Sequence, residues 1–247
     1  MTIDDKTERP FTASQYAYNK VKKWILSGQL SAGDRIDQDE IARKMGLSRM
    51  PVRSALDRLS SEGLVVSHPH RGITVVPLSP EHLNDLYLIR CLMEGLAVFL
   101  AAERATDEDV EALTRMLDGA AAPSQDIDAA MAENWKFHRY IYEMSGSEVL
   151  ARQIESFWEQ TERYRRIYIG QPGTRDGTDR EHRELVSLIA SHDAQRAADF
   201  QIRNNRRTQR AVLESMNETL PTEKIRLVSA AEYDAFLRWK SGRGQAE

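Results

Sequence analysis

Apolar residues recur at three- and four-residue spacing along most of this chain, and the period breaks in one short window near the N-terminus. Thr12-Ala13-Ser14-Gln15 reads as a capping box that opens a first helix. Its apolar stripe is Ala17, Val21, Trp24 and Ile25, ending at Gly28. Asp37 and Glu40 open a second helix with Ile41, Ala42 and Met45 inward and Gly46 as its stop. Only Leu47 separates that stop from Ser48, an N-cap for a third helix whose inner face is Val52, Ala55, Leu56 and Leu59. Helix, very short turn and helix make a helix-turn-helix. After Gly63 the pattern shortens: Leu64-Val65-Val66 and Ile73-Thr74-Val75-Val76 flank His68-Pro69-His70-Arg71-Gly72, which reads as a hairpin. A basic hairpin directly behind a helix-turn-helix is a wing.

From Ser79 onward the helical period returns. Ser79 caps and Pro80 takes the first helical position of a helix reaching about Arg104. Further helices are expected from the Thr106 cap to before Pro123, from about Ser124 to Ser145, and from Ser147 to about Tyr168. The segment 170–177 reads as a loop. Thr178 with Glu181 then opens a helix to about Ser191, and Asp193 caps a last one reaching about Glu218. The expected fold is mainly α: a winged helix-turn-helix over 1–77, then an all-helical antiparallel bundle over 78–220. In the tail, 221–247, Tyr233, Phe236, Leu237 and Trp239 fit a short docking helix ahead of a disordered end.

Composition is 41% hydrophobic and 29% charged, with no apolar run long enough to span a bilayer, so no membrane partner is expected. The acidic start MTIDDKTERP is not a signal or transit peptide. The single cysteine, Cys91, lies in an apolar helical run and reads as a buried inert thiol in a cytoplasmic protein. Net charge is −4, which alone argues against nucleic acid. Residues 1–77, however, carry 12 Lys/Arg against 9 Asp/Glu, a net of +3, and the remainder a net of −7. That asymmetry suits a DNA-facing module on an acidic body.

In a helix-turn-helix the second helix enters the major groove, with its N-terminal residues at base edges. Those residues here are Ser48, Arg49, Met50, Pro51 and Arg53. Arg49 and Arg53, four apart, share a face opposite the core stripe, and Ser48 suits a phosphate. Arg71 at the hairpin tip can reach a minor groove, where Gly72 lets the backbone come close. Three arginines on an isolated helix are more often a solvated face. The turn length, the wing and the placement of Arg49 and Arg53 reverse that preference, but Arg58, further along, remains a surface residue.

The run Gly33-Asp34-Arg35-Ile36, Glu40-Ile41-Ala42, Gly46 to Leu56, Leu59, Glu62-Gly63-Leu64 and Arg71-Gly72 resembles the GntR family of bacterial regulators. Met50 stands where that family commonly has Thr. Arg90-Cys91-Leu92-Met93-Glu94, Phe137-His138 and Glu181-His182 resemble the FadR-type subgroup, whose all-helical effector domain is called FCD. The resemblance covers roughly Ser14 to Asn217. It implies a homodimer on a palindromic double-stranded DNA operator, acting as a repressor that senses a small organic acid.

The subgroup often holds a divalent metal with one Asp and three His, and the matching positions here are Asn134, His138, His182 and Asn204. Two carboxamides replace expected ligands, which disfavours a metal; His138 and His182 remain weak candidates for one. Asn134 and His138 lie four apart beside Ile127, Met131 and Ile141, His182 shares a stripe with Leu185 and Ile189, and Asn204 sits with Ala197, Gln201 and Thr208. Together they suggest a polar ligand pocket rather than isolated core histidines. Arg90 lies on an apolar stripe and either pairs with Glu94 or grips a ligand carboxylate. The rival class is a helical-bundle metal-dependent enzyme, but di-iron bundles use Glu-x-x-His pairs and the sequence contains none. No phosphate loop or nucleophile–base pairing stands out either, so no enzyme is expected.

Overall fold

The computed structural model describes residues 12–69, 72–119, 127–169 and 174–216, and for 167–169 and 174–177 the backbone alone. The sequence-based expectations for Arg71 and for the tail 221–247 lie outside these residues. The chain divides into two compact units, Met1–Leu78 and Ser79–Glu247.

The first unit holds α1 (Ala13–Leu26), β1 (Arg35–Ile36), α2 (Gln38–Met45), α3 (Arg49–Ser61), β2 (Val65–His68) and β3 (Gly72–Val75). Thr12 caps α1 by accepting from the Gln15 N–H at 3.1 Å. The Gln15 side chain bonds Asn19 at 2.8 Å, so that box is half formed. Asp37 caps α2 by accepting from the Asp39 and Glu40 N–H groups, which hold its carboxyl below the usual range. Gly46 ends α2 in the left-handed region at φ 66°, which L side chains rarely adopt. Ser48 opens α3 without a capping bond. Ala17, Val21, Val52, Leu56, Leu59, Leu64 and Val75 fill the core between helices and sheet.

The sheet is antiparallel in the order β1-β3-β2, with Ile36 opposite Ile73 and Val66 opposite Thr74. β1 was not expected. Two residues are too few to show alternation, and only pairing with β3 makes Arg35–Ile36 a strand.

The second unit contains α4 (Pro80–Arg104), α5 (Asp107–Asp118), α6 (Ile127–Met144), α7 (Glu148–Ile169), α8 (Thr174–Ala190) and α9 (Ala194–Ser215). α4 is buried on most sides: it packs along α9 and against α6, α7 and α8. Ala97, Ala101 and Ala102 join Ala194 and Ala197 in the core that these helices share. α8 starts at Thr174, inside the segment read as a loop, so Thr178 is within the helix rather than at its start. Gly177 within that segment does not prevent the helix, because a glycine inside a helix costs only about 1 kcal/mol. Among the described residues no helix is long and apolar enough to cross a membrane.

Candidate DNA interface and effector site

Along α3 the packing side and the open side separate cleanly. Val52, Ala55, Leu56 and Leu59 are buried, whereas Ser48, Arg49, Met50 and Arg53 are exposed and Pro51 is half-buried. Met50 is 72% exposed, far more than core packing would allow such a side chain, so it is displayed rather than stored. Arg53 has no ion-pair partner among the described residues. Arg49 does: its Nε and Nη2 reach Asp39 at 2.5 and 2.6 Å. Arg58 is committed internally. It donates to Glu62 at 3.0 Å and to Gln15 at 3.1 Å, and its guanidinium lies 3.8 Å over the Tyr18 ring. Tyr18 in turn donates to Glu62 at 2.8 Å, tying α1 to the end of α3.

Gly72 has a cause other than close approach to DNA. Its φ is +90°, and a Cβ there would come within 3.3 Å of Arg35 Nε. Glycine suits that φ, and the exposed Arg35 side chain lies beside it at the loop end of the hairpin. Arg35 went unnoticed as a candidate because its strand carries no sequence signal of its own.

In the helical unit the centre is Glu94, fully buried on α4. Its Oε1 accepts from Arg90 Nε at 2.6 Å and from Trp158 Nε1 at 3.0 Å. Its Oε2 accepts from the Tyr142 hydroxyl at 2.8 Å, Gln201 Nε2 at 2.9 Å and Asn205 Nδ2 at 2.8 Å. Five donors from four helices satisfy one carboxylate, which is what makes its burial tolerable. Arg90 also donates to Thr161 Oγ1 at 3.1 Å and lies over the Tyr87 and Trp158 rings. Burial is the largest single influence and opposes its charge, but the Glu94 carboxylate, Tyr87 and Tyr142 together raise its pKa. Of the two roles open to Arg90, the structure shows the pairing with Glu94.

His138 and His182 meet edge to face, with ring centroids 5.1 Å apart. Phe137 stacks on His182 at 4.3 Å and Trp158 lies 5.4 Å from His138. Burial pushes both imidazoles down, His182 to about 4 and His138 well below its usual value; neighbouring His182, Arg90 and Arg165 add to the effect on His138, since each disfavours a second charge beside it. Both are neutral at pH 7. Asn134 is half-buried one turn before His138.

Asn204 is also half-buried, and its Oδ1 accepts from Arg207 at 2.8 Å; Arg207 also pairs with Glu181. The residue that enters the buried network is its neighbour Asn205. From Gln201 both Asn204 and Asn205 lie one turn on, and the buried face takes the second path, through Ala197, Gln201, Asn205 and Gln209. The stripe expected through Asn204 and Thr208 is shifted by one residue accordingly.

Two imidazoles and two amides, one of them held by an arginine, offer no anionic ligand and are a poor donor set for a divalent ion. Among the described residues no group of three or more His, Cys, Asp or Glu side chains could hold one. Cys91 is buried and its thiol is pushed up to about 12, mainly by burial, consistent with an inert thiol. Asn205, Trp158, Tyr142 and Thr161 escaped the sequence reading. The available signal was a glutamate and an arginine both on the apolar stripe of α4, which demand partners somewhere.

Residues 13–75 match the family model described as bacterial regulatory proteins of the gntR family, and residues 85–203 match that of the FCD domain. The HTH-type transcriptional regulator McbR of Escherichia coli is 31% identical over 142 residues, 57% of this chain and 64% of that protein. An HTH-type transcriptional regulator in the TAR-I ttuE-ttuC' intergenic region of Agrobacterium vitis is 30% identical, covering 49% of this chain and 74% of that protein. The E. coli HTH-type transcriptional repressor GlaR is 27% identical, covering 74% and 88%. The solved structure of E. coli McbR/YncC superposes with a TM-score of 0.69 at 23% identity, over 83% of this chain and 99% of that one, a likeness of fold.

Proposed function

Because this chain belongs to the GntR family of bacterial regulators and carries an FCD domain, we propose that it is a repressor that binds a palindromic operator as a homodimer and changes its DNA affinity when a small organic acid enters the helical unit. It is a DNA-binding transcriptional regulator of the GntR/FCD type, not an enzyme. Repression comes from likeness to GlaR, which is named as a repressor.

The observation that carries the DNA reading is the start of α3, where Ser48, Met50 and Arg53 face solvent while Val52 and Leu56 anchor the helix. Arg53 then contacts base edges, Arg49 and Pro51 border it, Ser48 holds a phosphate, and Arg71 and Gly72 of the hairpin meet the backbone or minor groove. Met50 offers its apolar tip to thymine methyl groups. In the helical unit the effector lies against His138, His182 and Asn134, with Arg90 and Asn204 at the edge of the site and no metal required.

A dimer supplies the two-fold symmetry that a palindrome demands. The outward stripe of α4, with Leu88, Leu92 and Leu96 half-buried and Ile89 exposed, is an apolar face suited to a second copy. A gel shift on the DNA upstream of the protein's own gene, with and without a panel of sugar acids, dicarboxylates and amino acids, tests the reading. Retarded DNA whose mobility responds to one acid supports it. No retardation at micromolar protein and physiological salt overturns it.

A further inference from the structure

Beside the buried polar network lies a cation that the network's carboxylate does not balance. Among the described residues Glu94 is its one carboxylate, while Arg90 and Arg165 are both buried beside it. Glu94 is taken by Arg90 at 2.6 Å. Arg165, only 7% exposed, stacks over the Trp158 ring at 4.0 Å and donates from Nη2 to the Trp158 carbonyl at 3.1 Å. Its Nε and Nη1 are buried without a hydrogen-bond partner, and among the described residues no carboxylate pairs with it. The Tyr87 hydroxyl, wholly buried, has no aligned partner either, although the Arg90 guanidinium lies 4.7 Å over its ring. Burial, then the charge of Arg90, brings the Arg165 pKa down to about 10, which still leaves it protonated at neutral pH. An unpaired buried cation with idle N–H groups is among the least favourable arrangements a core can hold. It is relieved by an anion.

We propose that Arg165 and Tyr87 form the anion-holding end of the effector site, built to take one carboxylate of a small organic acid. This rests on the reading of the helical unit as an effector domain. One carboxylate cancels the excess charge, accepting from Arg165 N–H groups and from the Tyr87 hydroxyl. Arg90 is the positioning residue, held by Glu94 and bracing Trp158, on whose ring Arg165 lies.

The test measures thermal unfolding of the full chain without DNA in sodium acetate, in acetamide as its uncharged counterpart, and in chloride at equal ionic strength. Saturating acetate is expected to raise Tm by about 2–4 °C, with no rise in acetamide or chloride. Arg165→Met removes the acetate increment. Tyr87→Phe, which strips an oxygen with no aligned hydrogen-bond partner, keeps the starting Tm and reduces the increment, and it decides the matter if Arg165→Met does not fold. An increment that survives these substitutions, an equal one from acetamide, or none in the wild type overturns the proposal. If acetate stabilises through Arg165 but no acid changes DNA mobility, the site stands and the regulatory reading fails. If an acid shifts DNA mobility equally in Arg165→Met, the regulatory reading stands and the site fails.

Discussion

Two sets of arginines divide this molecule. On α3, Arg49 and Arg53 stand in solvent with the apolar core behind them; in the helical unit, Arg90 and Arg165 are buried among aromatic rings and one carboxylate. The same side chain does opposite work because its surroundings differ. In water a guanidinium contributes little to stability and remains available to a polyanion. In a dry core its charge must be matched or the fold suffers, so it becomes both a structural commitment and a sensitive point. Substitutions on α3 should therefore alter binding and leave folding alone, whereas substitutions around Glu94 should alter folding first.

The largest effect is expected at the buried end. Glu94→Gln keeps the shape but leaves Arg90 without its counter-charge, and should destabilise the helical unit by about 3–5 kcal/mol. That corresponds to a fall in Tm on the order of 10 °C, readable by circular dichroism. A change below 1 kcal/mol would mean the network is solvated in solution.

Next comes acid. The folded protein resists protonating His182, whose pKa sits near 4 in the fold against about 6.5 in the unfolded chain. Below pH 6.5 the unfolded chain takes up a proton that the fold excludes, so stability is full above that value and falls as pH drops toward 4. The loss is on the order of 3 kcal/mol, and His182→Asn should flatten that part of the urea-unfolding profile. An unchanged profile in the variant would assign the acid response to other groups.

Smaller still in energy, and confined to binding, is Arg53→Ala. It should cost about 1–3 kcal/mol of operator preference over random DNA and leave Tm unchanged. Equal preference in the variant would move the reading face of α3 elsewhere. The smallest is Asp39→Ala, which frees Arg49 from an exposed ion pair worth less than about 1 kcal/mol. DNA affinity should rise a few-fold with a steeper salt dependence, measured by fluorescence anisotropy at several salt concentrations. An unaltered slope would show that Arg49 lies away from the phosphates.

How far the sequence could be read follows the same division. In the first unit the elements declare themselves locally: Asp37, Gly46 and the Val52–Leu59 stripe each act within a turn or two of chain. β1 escaped because its existence depends on a partner almost forty residues away, Arg35 opposite Thr74. In the helical unit the pattern named helices but could not say which polar residue meets which. Arg90 and Glu94 were visible as charges on an apolar stripe, whereas Asn205 and Trp158 reach Glu94 across 111 and 64 residues of chain. The inward stripe drawn through Asn204 lies one residue out of helical phase from the buried face through Asn205, a shift that periodicity cannot resolve when adjacent positions carry the same side chain.

Trp158 has a consequence of an optical kind. Its indole N–H rests on a buried carboxylate, and its ring carries one guanidinium at 4.9 Å and another at 4.0 Å. Indole fluorescence responds to nearby charge, because excitation redistributes electron density across the ring system. Neutralising one of those two cations would therefore shift the emission colour without any label, and Trp158→Phe would identify its share of the signal. The protein carries its own dye, seated where charge in the core is least balanced.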